Sequence, residues 1–102
     1  MNRRLELQSK LEGIMQNKHV YFQPPASVKL TYPCVIYTIG DGDTKHANDS
    51  IYQYINSYSL MFIYKQPNID IIENVLKEFQ MCKFDRTYCS DNLYHYVFTI
   101  YY

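Results

Sequence analysis

Leu7, Leu11, Ile14 and Met15 recur at i, i+4, i+7 and i+8, with Glu6, Lys10, Glu12 and Gln16 between them. This spacing predicts a helix over Asn2–Asn17, with Asn2 as N-cap and Lys18 and His19 near the negative end of its dipole. Arg3 and Arg4 stand at the wrong end for that dipole and read as solvated charges. The period then changes. Val20–Pro33 reads as an extended connector, because Gln23-Pro24-Pro25 cannot continue a helix and Pro33 forces Tyr32 into an extended conformation. Cys34–Ile39 is an apolar, β-branched run that predicts a strand. Gly40-Asp41-Gly42-Asp43 ends it, and the polar stretch through Ser50 reads as a loop.

In Ile51–Tyr64, residues Tyr52, Tyr54, Tyr58, Leu60, Phe62 and Tyr64 share one parity. The run is longer than a usual strand, so Asn56-Ser57 is expected to be a bulge or a break. Pro67 and Asn68 open a second predicted helix over Asn68–Gln80, with Ile72, Val75, Leu76 and Phe79 as its stripe. Cys82–Cys89 then reads as a strand, Ser90-Asp91-Asn92 as a turn and Leu93–Tyr102 as the last strand. On that strand Tyr94, Tyr96, Phe98, Ile100 and Tyr102 point one way, and both faces are apolar.

The order α-β-β-α-β-β predicts one α+β domain over residues 1–102. It consists of a mainly antiparallel sheet of about four strands with both helices on one face. Leu7, Leu11, Ile14, Ile72, Val75, Leu76 and Phe79 are its expected helix-side core. The second apolar face calls for a partner or for overlying chain.

Composition sharpens this picture in one respect. Ten Lys plus Arg offset ten Asp plus Glu, so the chain has no overall attraction for DNA, RNA or anionic lipid. Twelve tyrosines without a tryptophan suit half-buried strands and surfaces that end up in contact. The sequence offers no apolar run of membrane-spanning length, and Met1–Lys10 lacks the apolar core of a secretory signal. Three cysteines without framework spacing point to free thiols in a reducing compartment.

Candidate chemistry is sparse. Cys82-x6-Cys89-x5-His95 has metal-ligand residue types at the wrong spacing, and on a regular strand the two cysteines would face opposite sides. Asp41-x-Asp43 followed by Asp49 lacks the glycine and the bidentate glutamate of a calcium loop. His19, His46 and His95 fall in no recognisable catalytic order, and Gly13, Gly40 and Gly42 make no phosphate-cradling pattern. Tyrosines near Lys65, Lys83 and Arg86 suit a single-strand nucleic-acid binder, though the element order is not that of the usual four-stranded RNA-binding module. No cofactor and no catalytic or metal-binding residue is expected.

Two stretches carry a resemblance. Val20–Tyr37 (VYFQPPASVKLTYPCVIY) is one; Phe84–Tyr88 with Asp91–Tyr102 (FDRTY and DNLYHYVFTIYY) is the other. With Ala47-Asn48-Asp49 they resemble small tail-completion proteins of long-tailed bacteriophages, of the tail terminator or head-to-tail joining type. The resemblance covers most of the chain, with Asp41–Ser50 and Tyr52–Tyr58 matching at only a few positions. It implies a non-catalytic virion protein, assembled in the bacterial cytoplasm. Such a protein forms a ring, six-fold in the well-known examples, that caps the tail tube, stops its polymerisation and meets the head-side connector. The implied partners are further copies of the chain, the tube protein and the connector or stopper protein, with no membrane and with DNA only passing through the lumen. A head-completion or stopper role and a small nucleic-acid-binding module are the alternatives. The expected interface residues are Asp41, Asp43, Lys45, His46, Asn48 and Asp49 of the polar loop, Arg86, Asp91 and Asn92 of the last hairpin, and Tyr101 and Tyr102. Arg86 is expected to pair with Asp85, Asp91 or a neighbouring subunit, and the polar loop to order against another chain on assembly.

Overall fold

A computed structural model describes residues 3–40, 45–46, 54–55 and 57–102. Helix α1 spans Arg3–Met15. Strands β1 (Val20–Phe22) and β2 (Cys34–Ile39) follow, then the two-residue strands β3 (Lys45–His46) and β4 (Tyr54–Ile55), and β5 (Ser57–Tyr64). Helix α2 covers Asp70–Glu78, and β6 (Cys82–Ser90) and β7 (Leu93–Tyr101) complete the order. The main sheet is five-stranded, in the order β1-β2-β5-β7-β6. All its pairings are antiparallel except β1 with β2. The architecture is therefore α+β, as the sequence predicts, with a mixed sheet.

Both helices lie on one face. Val35 and Tyr37 of β2, Tyr58, Leu60 and Phe62 of β5, and Tyr96, Phe98 and Ile100 of β7 form one buried cluster with Leu7 and Leu11 of α1 and Ile71 and Val75 of α2. The register explains why: Val35 pairs with Phe62 and Phe62 with Tyr96, and paired residues share a face. Each fully buried leucine here contributes roughly 1.5–3 kcal/mol relative to exposure. Phe98 sits at the centre, edge-on to Phe62 at 5.6 Å and tilted against Phe84 at 5.2 Å.

The structure corrects several expectations. Val20–Phe22 is a strand, not connector. Its parallel pairing with Val35–Tyr37 is made across an intervening proline-containing stretch, so no local pattern announces it. The polar stretch expected to be a loop contains β3, which pairs with β4 in a separate two-stranded sheet. The ladder to β7 begins at Ser57, in agreement with a break in the long tyrosine-rich run. The expected N-cap Asn2 lies outside the described residues. Helix α1 stops at Met15 because Gln16 adopts φ 59, and its N–H donates to the Glu12 carbonyl at 2.8 Å. Asn17 is beyond the helix, where its Oδ1 accepts the His19 N–H at 2.8 Å.

Helix α2 is rotated relative to its predicted stripe. Ile71, Val75 and Phe79 are buried, Ile72 is half-buried like Ile14 of α1, and Leu76 is 43% exposed. The inward row runs at i, i+4, i+8 from Ile71, and Leu76 falls on the flank. Cys82 and Cys89, expected on opposite sides, share the helix side. Cys82 pairs with Ile100 and Cys89 with Tyr94, and a bulge between Phe84 and Arg86 shifts the parity by one residue.

Candidate protein-interaction surface

The sheet face away from the helices is divided between two coverings. At the β1–β2 side the connector lies over it: Tyr21 pairs with Ile36 on this face, and its hydroxyl accepts the Thr31 N–H at 3.2 Å. Cys34 is fully buried, and that burial pushes its thiol up from 9.0 to about 11, keeping it protonated at neutral pH. Cys82, on the other face, is likewise raised to about 11, first by burial and then by the negative charge of Asp85.

At the β7–β6 side no chain element lies over the sheet among the described residues, and side chains cover it instead. A two-residue turn makes this possible. Asp91 and Asn92 adopt φ 54 and 62, left-handed values that short polar side chains tolerate and that match the twist of the flanking strands. Ser90 therefore faces Leu93, Cys89 faces Tyr94 and Tyr88 faces His95. The Tyr88 and His95 rings stack at 4.6 Å and 6°. The Tyr88 hydroxyl reaches across β7 to the Met61 sulfur at 3.9 Å, above the buried Val97. His95 Nδ1 lies 3.0 Å from the Leu93 carbonyl oxygen, which fixes its ring. The bulge presents Asp85 to the same face, where its Oδ2 accepts the Thr99 hydroxyl at 2.6 Å.

Arg86 does not pair with Asp85 or Asp91 as expected. Its guanidinium lies 5.6 Å from the Tyr88 ring centroid, a cation–π contact at a half-open site. With His95 on one ring face and Arg86 nearby, Tyr88 is already engaged, which leaves it poorly placed to stack on a nucleic-acid base.

The expected interface residues do not converge on one site. Arg86, Asp91 and Asn92 share the β6–β7 hairpin. Tyr101 and Tyr102 sit at the opposite end of β7, where the Tyr102 ring meets Phe79 edge-on at 6.1 Å and its hydroxyl donates to Glu6 at 3.5 Å. Tyr101 and Tyr102 line a cavity of about 310 Å³ with Lys10, Glu78, Phe79, Gln80 and Met81. Lys45 and His46 lie on β3, paired in backbone register with Ile55 and Tyr54. Asp41, Asp43, Asn48 and Asp49 lie outside the described residues.

Sequence reasoning missed Tyr88, His95 and Met61 as a surface cluster. The signal for the first two was present: once Asp91-Asn92 is a two-residue turn, Tyr88 and His95 must oppose each other. It also missed Ile69, 73% exposed just before α2, and the exposed flank it forms with Leu76. Among the described residues no group of three or more His, Cys, Asp or Glu is placed to hold a metal ion, and no helix is long and apolar enough to cross a membrane. No family model, curated protein or solved structure matches the chain.

Proposed function

We propose that this chain is a non-catalytic structural protein of a virion: a subunit of a homo-oligomeric, six-fold ring that caps a phage tail tube, ends its polymerisation and joins it to the head-side connector. The observation that supports the reading is the second face of the sheet. The half-buried Ile36 and Met61 and the buried Val97 form an apolar strip there, with Tyr88 lying over Val97, Tyr21 and Tyr101 beside it, and a charged border of Lys83, Asp85 and Arg86. An apolar strip with aromatic and arginine borders is the composition of a contact surface. The sequence resemblance supplies the assembly in which such a surface would be used.

The test is assembly. Purified protein is imaged by electron microscopy alone and with tail tubes, and its mass is measured by light scattering. Rings on tube ends, with tubes of uniform length, are the expected result. A variant lacking Asp43–Asn48 is expected to remain folded and to leave tubes overlong or unable to join heads. Tubes whose length and ends are indifferent to the protein would overturn the proposal.

A further inference from the structure

Side chains on a strand ordinarily stand away from the plane of their sheet. Tyr88 lies down instead. It belongs to β6, yet its hydroxyl stops 3.9 Å from the sulfur of Met61 on β5, with β7 in between. Strands two places apart are separated by about 9.6 Å, so the ring has to run along the sheet surface to reach that far. Two local features put it there. The bulge between Phe84 and Arg86 shifts the parity, and the five residues Arg86–Ser90 then run in regular register, so Tyr88 emerges on the face away from the helices. The turn at Asp91-Asn92 sets it opposite His95, on whose ring it stacks.

The lying ring hides what this part of the face would otherwise show. Val97 stands on β7 between Met61 of β5 and Arg86 of β6, and is only 6% exposed. The cover is lightly held. Its restraints are the stack on His95, the cation–π contact with Arg86 and a sulfur contact far longer than an ordinary hydroxyl hydrogen bond. Its way out is open, because β6 is the last strand of the sheet and Tyr88 is itself 36% exposed. Moving χ1 from one staggered well to another lifts the ring off the sheet, on a timescale far shorter than unfolding. Val97 and Met61 then join Ile36 in one open apolar strip.

We propose that Tyr88 is an autoinhibitory cover: it closes the apolar strip in the free chain and has to stand up before a second copy can seat there. This rests on the reading of the second sheet face as a contact surface of the ring, and it adds a control on that surface. An open apolar strip invites indiscriminate contact. A covered strip binds only after opening, with an apparent affinity reduced by the fraction that is open. A cover and an ordinary contact residue differ in sign. Truncating a contact tyrosine weakens association, whereas truncating a cover strengthens it.

Thiol labelling of the purified full chain reads the cover directly. Val97→Cys is made in a Cys89→Ser background and treated with a maleimide, with peptide mass spectrometry following each thiol separately. Fully buried Cys34 serves as the internal reference for opening of the whole fold. The thiol at position 97 is expected to react about tenfold or more faster than Cys34, with little dependence on dilute urea, as a local opening requires. Adding Tyr88→Ala is expected to speed it roughly tenfold again, and Tyr88→Phe, which loses only the sulfur contact, to speed it less. In the chain with Val97 intact, the carbon-13-labelled methyl group of Met61, assigned with Met61→Leu, is expected to lose its ring-current shift in Tyr88→Ala. Light scattering across a dilution series is expected to show Tyr88→Ala associating at about a tenfold lower concentration than the parent. Labelling at position 97 that is no faster than at Cys34 or indifferent to Tyr88→Ala, an unmoved Met61 methyl, or weaker association of Tyr88→Ala would each overturn the proposal. Association strengthened by Tyr88→Ala without any rings would count against the ring reading only.

Discussion

Replacing Tyr37 by Phe isolates one hydroxyl at the joint between α1 and the sheet. Tyr37 is fully buried on β2, with its ring 4.9 Å from Phe22 and 6.2 Å from Tyr58. Its hydroxyl donates to Gln8 Oε1 at 2.5 Å and accepts from Arg4 Nη1 at 3.3 Å. Gln8 Nε2 in turn donates to the Val20 carbonyl at 3.3 Å, so the network ties helix α1 to both β1 and β2. The substitution keeps the ring packing and removes the Gln8 bond and the longer Arg4 bond. Gln8 and Arg4 are half-buried and gain water in exchange, so the cost is the net value of a hydrogen bond, about 1–1.5 kcal/mol, and not the ~3 kcal/mol of a stranded buried group. In a domain of this size that lowers Tm by about 4–8 °C per kcal/mol. Urea unfolding is expected to show a lower midpoint with an unchanged slope. A double-mutant cycle with Gln8→Ala is expected to give a coupling of about 1 kcal/mol. A coupling near zero would refute the reasoning, because this hydrogen bond would then contribute nothing beyond the packing of Leu7, Leu11 and Met15.

Phe98→Ala removes the ring between Phe62 and Phe84 and is expected to cost about 3–5 kcal/mol, a large share of the ~5–15 kcal/mol available to a domain, as read by thermal unfolding. Gln16→Gly relieves a left-handed residue at the end of α1 and is expected to raise stability by up to about 1 kcal/mol in the same assay. Alkaline pH is expected to destabilise the fold. Cys34 and Cys82 are raised from 9.0 to about 11 and Tyr64 from 10.0 to about 12. Their protonated forms are favoured by folding, so stability is full below pH 9 and falls between pH 9 and 12 as the unfolded chain ionises first. Cys34→Ala is expected to flatten the fall between pH 9 and 11 in urea unfolding measured at each pH, and an unchanged slope would refute its share.

The parts of the fold legible in the sequence are those governed by short-range periodicity. Leu7 and Leu11 are buried as their spacing predicts, the parity of Tyr58–Tyr64 and Tyr94–Tyr102 names the helix side of the sheet, and Asp91-Asn92 makes the tight turn. What escaped depends on tertiary context. Val20–Phe22 becomes a strand only because β2 offers it an edge. Ile71 displaces Leu76 from the interior because α2 docks with a rotation that its own apolar residues, clustered at 69, 71, 72, 75 and 76, do not specify. A single extra residue at Asp85 reverses which side Cys89 faces, and periodicity has no means of announcing a bulge. The interaction surface was legible in kind, as an apolar second face, and less so in membership, because Arg86 turns to Tyr88 and the two terminal tyrosines belong to the far end.

The two borders of the main sheet differ in a way that bears on solubility. Strand β1 is three residues long, and the chain leaves it at Gln23, with φ 43, into Pro24-Pro25. So brief a border gives an incoming strand almost nothing to hold, while β6 offers a regular stretch five residues long. A sheet receptive on both sides propagates, each added chain presenting a fresh site for the next, and its end state is a fibre. A sheet receptive on one side consumes its only site in the first encounter. A tyrosine-rich chain of strong strand propensity, accumulated in a crowded cell, is thereby steered away from open-ended growth by the shortness of its weakest strand.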